Sequence, residues 1–464
     1  MFTVAEIADA TGGRVTGSGE GSVTSVSTDS RSVVPGELFV PLRGERFDGH
    51  DFIAGVAAKG VTTVLAEEKW LTHHTLPDGC TGIVVKDTLR ALGDLAAAYR
   101  LRFDIPVIAV TGSNGKTTTK EMLAAILEKT GPGLKTAGNL NNLIGLPQML
   151  FRLKPEHRWA VLEMGMSEPG EIDRLAEIAR PRTGIVLNAL PAHLQSMGTV
   201  EAVASAKGEL LHRVSDGGLA VVNGDDSRVS SLGQNASARR ISFGISRGEV
   251  RAKGIEHLGL EGESFQIVTP KGDIQVHLSA FGLHNVSNAL AATAALLDSV
   301  PLAVIKEGLT AFRPYQGRFQ LERLGDVTLV DDSYNANPAS MKAALETLAQ
   351  IAPEGHRVAV LGDMLELGAH EAEAHEGVGA IAGRNVDRLF LLGLLMGRHA
   401  APAAIQAGLA PESVLCCQDQ AELDELVKQA LLPGDVVVLK GSRGMAMERT
   451  ATILRQYLSR KEKG

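Results

Sequence analysis

From about residue 104 to the end of the chain, short β-branched runs alternate with longer stretches of helical periodicity. The runs are "PVIAV", "RWAVLEM", "TGIVLNA", then "VTLVDD", "RVAVLGD", "RLFLLG", "SVLCC" and "DVVVLKG". Apolar runs this short, each followed by a helix, predict parallel strands joined by crossover helices, because a parallel strand buried on both faces needs no polar alternation. Two such series are separated by "RGEVRAKGIEHLGLEGESFQIVTPKGDIQVHLSAFG", which alternates like antiparallel hairpins, and by the helical "HNVSNALAATAALLDS". The expectation is therefore an α/β chain with mostly parallel sheets. Its units are a smaller N-terminal α/β domain at 1–103, a central one at 104–314 and a C-terminal doubly wound one at 315–464. The length of 464 residues agrees, since a domain takes roughly 100–200 residues.

Composition limits the classes of function. The chain is 44% hydrophobic and 22% charged, as expected of a soluble globular protein. Its net charge of -8 excludes a broad nucleic-acid surface, so an anionic ligand must be held by local cations and backbone N–H groups. Three cysteines, two of them adjacent (Cys416 and Cys417) and one distant (Cys80), form no disulfide framework and fit a reduced cytoplasm. Glu6 and Asp9 interrupt any signal-peptide core, and no apolar run approaches the ~18 residues of a membrane span. A cytoplasmic protein without membrane or nucleic-acid partners is expected.

The stretch "AVTGSNGKTTTKEML" carries the chemistry. "PVIAV" reads as a strand and "KTTTKEMLAAILEK" as a helix, so Gly112, Ser113, Asn114 and Gly115 form a strand-to-helix turn where free N–H groups and Lys116 converge. The spacing is shorter than the usual G-x-x-x-x-G-K-[ST], yet the context is that of a phosphate loop. Lys116 is placed to meet terminal phosphates, Thr117 to help hold Mg²⁺, and Thr118 to continue the first turn. Glu163 ends the strand "RWAVLEM", where a carboxylate beside a phosphate loop is either a Mg²⁺ ligand or the cap of the following turn. The N-K-x-D motif of a GTPase is absent.

"TGSNGKTT", "LEMG", "PAHLQSMGTVEAVASAKGEL" and "HNVSNALAATA", in that order, resemble the Mur ligase family of ATP-dependent amide-forming enzymes. The resemblance implies ATP and Mg²⁺, two ions, as cofactors. It implies that His193 is a second-metal ligand and that Lys207 is a lysine the family carbamylates, both with catalytic roles beside Lys116. It further implies that Asn288 contacts adenine and that Arg318 and Asp332 meet the nucleotide on domain closure. Read without the family pattern, Lys207 is a solvated lysine on an amphipathic helix, His193 an ordinary loop histidine, and Arg318 and Asp332 solvated charges. Asn285 reads as the cap of its helix.

The outer blocks "DDSYNANPASM", "VLGDMLELG", "KGSRGMAMER", "NLNNLIGLP" and "EMGMSEPGEI" are similar to those of family members acting on UDP-N-acetylmuramoyl-tripeptide and D-alanyl-D-alanine. That resemblance implies a monomer working in peptidoglycan precursor synthesis. The alternative is the member that adds the third amino acid to UDP-N-acetylmuramoyl-dipeptide, whose C-terminal domain usually carries a D-N-P-R or D-D-P block; neither is present. Asn335 and Asn337 follow a strand and can reach a small zwitterion, although "NANP" is equally a turn and helix-cap sequence. Ser30 and Arg31, in "STDSR", match the UDP-recognition region and also read as a turn with a surface arginine. Asn139, Asn141 and Asn142 resemble contacts to the muramoyl-peptide and mark a polar loop.

Overall fold

The computed structural model describes residues 1–464 except 45, 192–193, 235–236, 352 and 462–464. Its strands form three sheets that follow one another along the chain, besides a two-stranded ribbon of Phe2–Thr3 with Ser22–Val23.

The first sheet has five strands in the order Arg14–Thr16, Thr81–Val85, Thr63–Glu67, Glu37–Phe39 and Ser25–Ser27, with only the first pair antiparallel. The helix Val4–Thr11 opens the chain because Thr3 and Glu6 form a reciprocal capping box. Helix Thr88–Arg100 closes the unit and carries Asp94, whose carboxylate receives Arg174 at 2.5 Å from the next unit.

The second sheet has nine strands. The parallel part runs Arg239–Gly244, Leu219–Asn223, Thr183–Val186, Val107–Thr111, Ala160–Glu163 and the short edge Leu134–Lys135. Strand Val250–His257 pairs parallel with Arg239–Gly244, then Glu263–Thr269 and Gly272–Leu278 continue as antiparallel hairpins. Alternation along the central strand sends Ile108 and Val110 into a core with helices Lys116–Leu127 and Leu283–Leu296, while Val107 and Ala109 join the opposite core with Leu175 and Leu210. Burial on both faces is what makes these strands continuous apolar runs. Strands Leu219–Asn223 and Arg239–Gly244 are not among the runs expected from sequence, and "TGIVLNA" ends early as a strand at Val186. Beyond it, Leu187 N donates to the Thr111 carbonyl at 3.0 Å and Ser113 N to the Asn188 carbonyl at 3.1 Å, so the segment stays beside the turn that follows Val107–Thr111.

The third sheet runs Gln320–Leu324, Val327–Asp331, Val436–Lys440, Arg357–Gly362, Arg388–Leu392 and Val414–Cys417, antiparallel only at the first pair. The last strand in sequence is thus inserted beside the first parallel one, so the ends of Val327–Asp331 and Val436–Lys440 share one rim. Helices Pro338–Gln350 and Glu371–Asn385 cover one face, and Gln420–Ala430 and Glu448–Lys461 the other.

Candidate active site

The carboxyl end of Val107–Thr111 faces the carboxyl rim of the third sheet across a cavity of about 500 Å³. Ligands in open parallel sheets bind at such strand ends. The turn after Val107–Thr111 is held by its neighbour: Asn188 Oδ1 accepts from Asn114 N at 2.9 Å, and Asn188 Nδ2 donates to the Asn114 carbonyl at 3.1 Å. Ser113 Oγ donates to the Leu190 carbonyl at 3.0 Å. Gly115 closes the turn with φ of 85°, and a Cβ placed there would lie 2.4 Å from Asn288 Oδ1, so both conformation and space require glycine.

Lys116 is half-buried and folds back over its own loop, donating from Nζ to the Gly112 carbonyl at 2.7 Å and to that of Ser113 at 3.4 Å. Burial pushes its ammonium below the ordinary lysine range, with the Glu163 carboxylate opposing. Thr117 Oγ1 donates to Glu163 Oε2 at 2.9 Å, and Asn141 Nδ2 donates to Glu163 Oε1 at 2.9 Å. The Glu163 carboxylate is therefore buried but fully hydrogen-bonded beside the first helical turn. Lys207 is 3% exposed on helix Val200–His212 and lines the same cavity. Burial, then the nearby Lys116 charge, drives its amine well below the ordinary range. The solvated surface lysine that the sequence pattern suggests on its own is corrected: the helix turns this residue inward. His193 lies outside the described residues.

From the third sheet, Arg318 stacks on Tyr334, with its guanidinium carbon 3.9 Å from the ring centroid, and donates from Nη2 to Thr117 Oγ1 at 3.3 Å. Its Nε is buried without a partner. Asp332 Oδ1 accepts from Phe319 N at 3.1 Å and Oδ2 from Lys440 Nζ at 2.6 Å. Asn335 Oδ1 accepts from Arg443 N at 3.1 Å. Asn337 is the N-cap of helix Pro338–Gln350, accepting from Ser340 N at 2.9 Å, and its carboxamide also pairs with that of Asn114. Asn337 thus caps its helix and at the same time lines the cavity.

The cavity thus gathers Gly112 to Thr118, Asn139, Asn141, Asn142, Glu163, Lys207, Asn288, Arg318, Asp332, Asn335 and Asn337. Asn142 also accepts from Gly145 N at 2.8 Å, anchoring helix Gly145–Leu150. Ser30 and Arg31 lie outside it, in the first unit, where Arg31 is 89% exposed and bonded to Asp29. Their turn still abuts the helix that follows the polar loop, since Thr28 Oγ1 accepts from Gln148 Nε2 at 2.9 Å. Asn285 does not cap its helix. Gly282 precedes the first turn, and Asn285 donates to the Phe281 carbonyl at 2.9 Å while accepting from Asn288 Nδ2 at 3.1 Å. His284, Tyr334, Asn188, Lys440 and Arg443 also line the cavity and were not singled out from sequence. For Lys440 a signal exists: a lysine ending the buried run "VVVL" stands at a strand's carboxyl end.

A phosphate loop, a hydroxyl–carboxylate pair and a second α/β unit supplying cations across the cavity define a nucleotide-using enzyme of two facing domains. Family models agree: "Mur ligase family, catalytic domain" matches residues 22–100, "Mur ligase middle domain" 110–296, and "Mur ligase, glutamate ligase domain" 317–443. The chain belongs to the Mur ligase family. Among its relatives is the UDP-N-acetylmuramoyl-tripeptide-D-alanyl-D-alanine ligase of Escherichia coli K12, 37% identical over 98% of each chain. A crystal structure of MurF from Acinetobacter baumannii superposes with a TM-score of 0.88 at 35% identity, covering 98% of this chain and 99% of that one. MurF ligase from Thermotoga maritima, solved in complex with ADP, gives 0.82 at 28% identity over 94% and 98%.

Proposed function

We propose that this chain joins D-alanyl-D-alanine to UDP-N-acetylmuramoyl-tripeptide, forming UDP-N-acetylmuramoyl-pentapeptide, ADP and phosphate from ATP in peptidoglycan precursor synthesis. The observation that carries the reading is the single cavity into which the phosphate loop and Glu163 project from one side and Arg318, Asp332 and Asn335 from the other. Residues 1–103 would bind the UDP moiety, 104–314 ATP, and 315–464 the dipeptide. Free cysteines, and the lack of any helix among the described residues long and apolar enough to cross a membrane, support the cytoplasm.

A carboxylate does not condense with an amine unaided, because its oxygen is a poor leaving group. An oxygen of the tripeptide's terminal carboxylate attacks the γ-phosphorus, the bond to the ADP oxygen breaks, and an acyl phosphate forms. The dipeptide's neutral amine then attacks the acyl carbon, the bond from that carbon to the phosphate oxygen breaks, and the proton lost by the nitrogen is balanced on the released phosphate. Lys116 turns from the Gly112 carbonyl to the transferring phosphoryl group, and Arg318 offers its unpartnered Nε to the same anion. Asn288 faces adenine behind Gly115; Ser30 and Arg31 serve the UDP end, and Asn139, Asn141 and Asn142 the muramoyl-peptide. Closure of the third domain over the loop excludes water from the labile acyl phosphate.

The oxygen donors Thr117 Oγ1 and Glu163 Oε2, 2.9 Å apart at a strand end, suit a hard cation. They would hold one Mg²⁺, and His193 with carbamylated Lys207 a second. Bound there, the ions neutralise charge among carboxylate and phosphates. Burial and the nearby Lys116 charge drive the Lys207 amine well below the ordinary range, which favours the uncharged form that adds CO₂ and supports the carbamate. The test is product analysis: ADP and phosphate should form only with both UDP-tripeptide and D-alanyl-D-alanine. Turnover with free lysine, diaminopimelate or glutamate in place of the dipeptide would overturn the assignment in favour of a third-residue or glutamate-adding ligase.

A further inference from the structure

Asp332 and Asn335 belong to one short turn, yet in the reading above they serve different substrates, the nucleotide and the dipeptide. One side chain holds both. Lys440 is the last residue of strand Val436–Lys440, whose register sets Leu439 opposite Asp331, so its Nζ enters the turn from the adjoining strand. That ammonium donates to Asp332 Oδ2 at 2.6 Å and to the Asn335 carbonyl at 2.9 Å. The side chain is 3% exposed. The turn is also tied by Phe319 N to Asp332 Oδ1, by Asp332 N to the Leu439 carbonyl at 3.0 Å and by Arg443 N to Asn335 Oδ1. No other side-chain cation among the described residues bonds both.

The residue type matters. A lysine presents three donors around one point on a flexible stem, so it can serve a carboxylate and a carbonyl lying in different directions. An arginine spreads its donors in a plane, and an apolar isostere offers none. Deleting the ammonium would also strand the Asp332 carboxylate at a buried rim, where an unpaired charge is costly.

We propose that Lys440 is a positioning residue that sets Asp332 and Asn335 in one register, so that ATP and dipeptide binding depend on the same ammonium. The inference rests on the assignment of those two residues to the two substrates.

The test compares the full-length wild type with Lys440→Met, Lys440→Arg and the double variant Lys440→Met with Asp332→Asn, by melting temperature, kcat and KM for each of the three substrates. Lys440→Met should raise the KM for ATP and for D-alanyl-D-alanine about tenfold or more, the scale of a lost charge-assisted hydrogen bond. The KM for UDP-tripeptide should stay within about twofold, and Lys440→Arg should recover part of both losses. A rise in only one of the two, or a fall in kcat with all three KM values unchanged, would overturn the proposal. Should Lys440→Met fail to fold, the double variant removes the stranded charge, and its dipeptide KM decides: raised supports the proposal, normal overturns it. Failure of the underlying reading shows separately, as a wild type that forms no ADP with the two substrates together.

Discussion

The carboxamides of Asn114 and Asn337 pair reciprocally between the phosphate loop and the third domain, Nδ2 of Asn337 to Oδ1 of Asn114 at 2.7 Å and Nδ2 of Asn114 to Oδ1 of Asn337 at 3.3 Å. Asn114 is in turn clasped by Asn188 through its backbone. Three asparagines therefore connect the central sheet, the strand-to-helix loop and the N-terminus of helix Pro338–Gln350, so that this helix is registered against that loop.

Asn337 and Asn335 should separate in experiment. Asn337→Ala removes an N-cap and the loop contact, and should lower stability by about 1 kcal/mol in urea unfolding. Asn335→Ala, at an exposed position, should leave stability nearly unchanged and raise the KM for D-alanyl-D-alanine more than that for ATP. Equal rises in both would remove its side chain from the dipeptide pocket.

Gly115→Ala should abolish nucleotide binding. The added methyl meets Asn288 Oδ1 at 2.4 Å and the backbone is left-handed, so the loop or the Asn288 carboxamide beside it must shift, and either displaces a group proposed to hold the nucleotide. Strain of this kind costs ~1–3 kcal/mol. ADP titration calorimetry beside a melting curve measures both; a folded variant with normal ADP affinity would show that the loop does not cradle phosphate.

Lys116→Ala should fold and fail to form acyl phosphate, losing roughly 10²–10³ in rate, as removal of a preorganised charge stabiliser does. Its ammonium bonds the Gly112 and Ser113 carbonyls of its own loop, so little stability rests on it. Trapping of the acyl phosphate by hydroxylamine with UDP-tripeptide and ATP measures the step directly.

Lys207→Ala should lose most activity, and a short carboxylic acid or bicarbonate filling the vacated space should restore part of it. Rescue by a small amine alone would rule out the carbamate while leaving the ligase assignment intact.

The same lysine makes a prediction about stability and pH. Between its depressed value and the ordinary 10.5, the folded chain binds fewer protons at this amine than the unfolded chain does, so stability rises with pH across that window. In CO₂-free buffer, Lys207→Met should melt above the wild type at pH 7, with the advantage shrinking as the pH approaches 10. A pH-independent difference would mean that the amine is not held neutral.

Much of the site is legible along the chain because its residues act through local context. "PVIAV" must be a buried strand, and Gly115, Lys116 and Thr117 follow it at a helix N-terminus whatever the remainder of the fold does. Glu163 is reached in the same way, as the last residue of a neighbouring strand paired in register with Val110. By contrast, strands Leu219–Asn223 and Arg239–Gly244 do not stand out in the alternation of strands with long helices, because only the four-residue helix Ser227–Ser230 lies between them and Arg239–Gly244 is largely polar. Asn337 was ambiguous for a different reason: one carboxamide can cap a helix and contact a partner, and only the partner's position shows that it does both.

The α/β fold class, the strand-to-helix turn at Gly112–Gly115 and the family are legible along the chain, since strand and helix periodicities, glycine and lysine spacing and the order of motifs are local properties. The tertiary structure decided which side chains meet. Lys207 is turned into the cavity by the packing of its helix, and Lys440 reaches Asp332 and Asn335 because the last strand inserts beside the first parallel one. Arg318, 201 positions from Thr117 in the chain, bonds its hydroxyl because two sheets present their carboxyl ends to one another. Such long-range contacts depend on how separately folded layers dock, and a sequence pattern that specifies each layer carries no periodic signal for the docking.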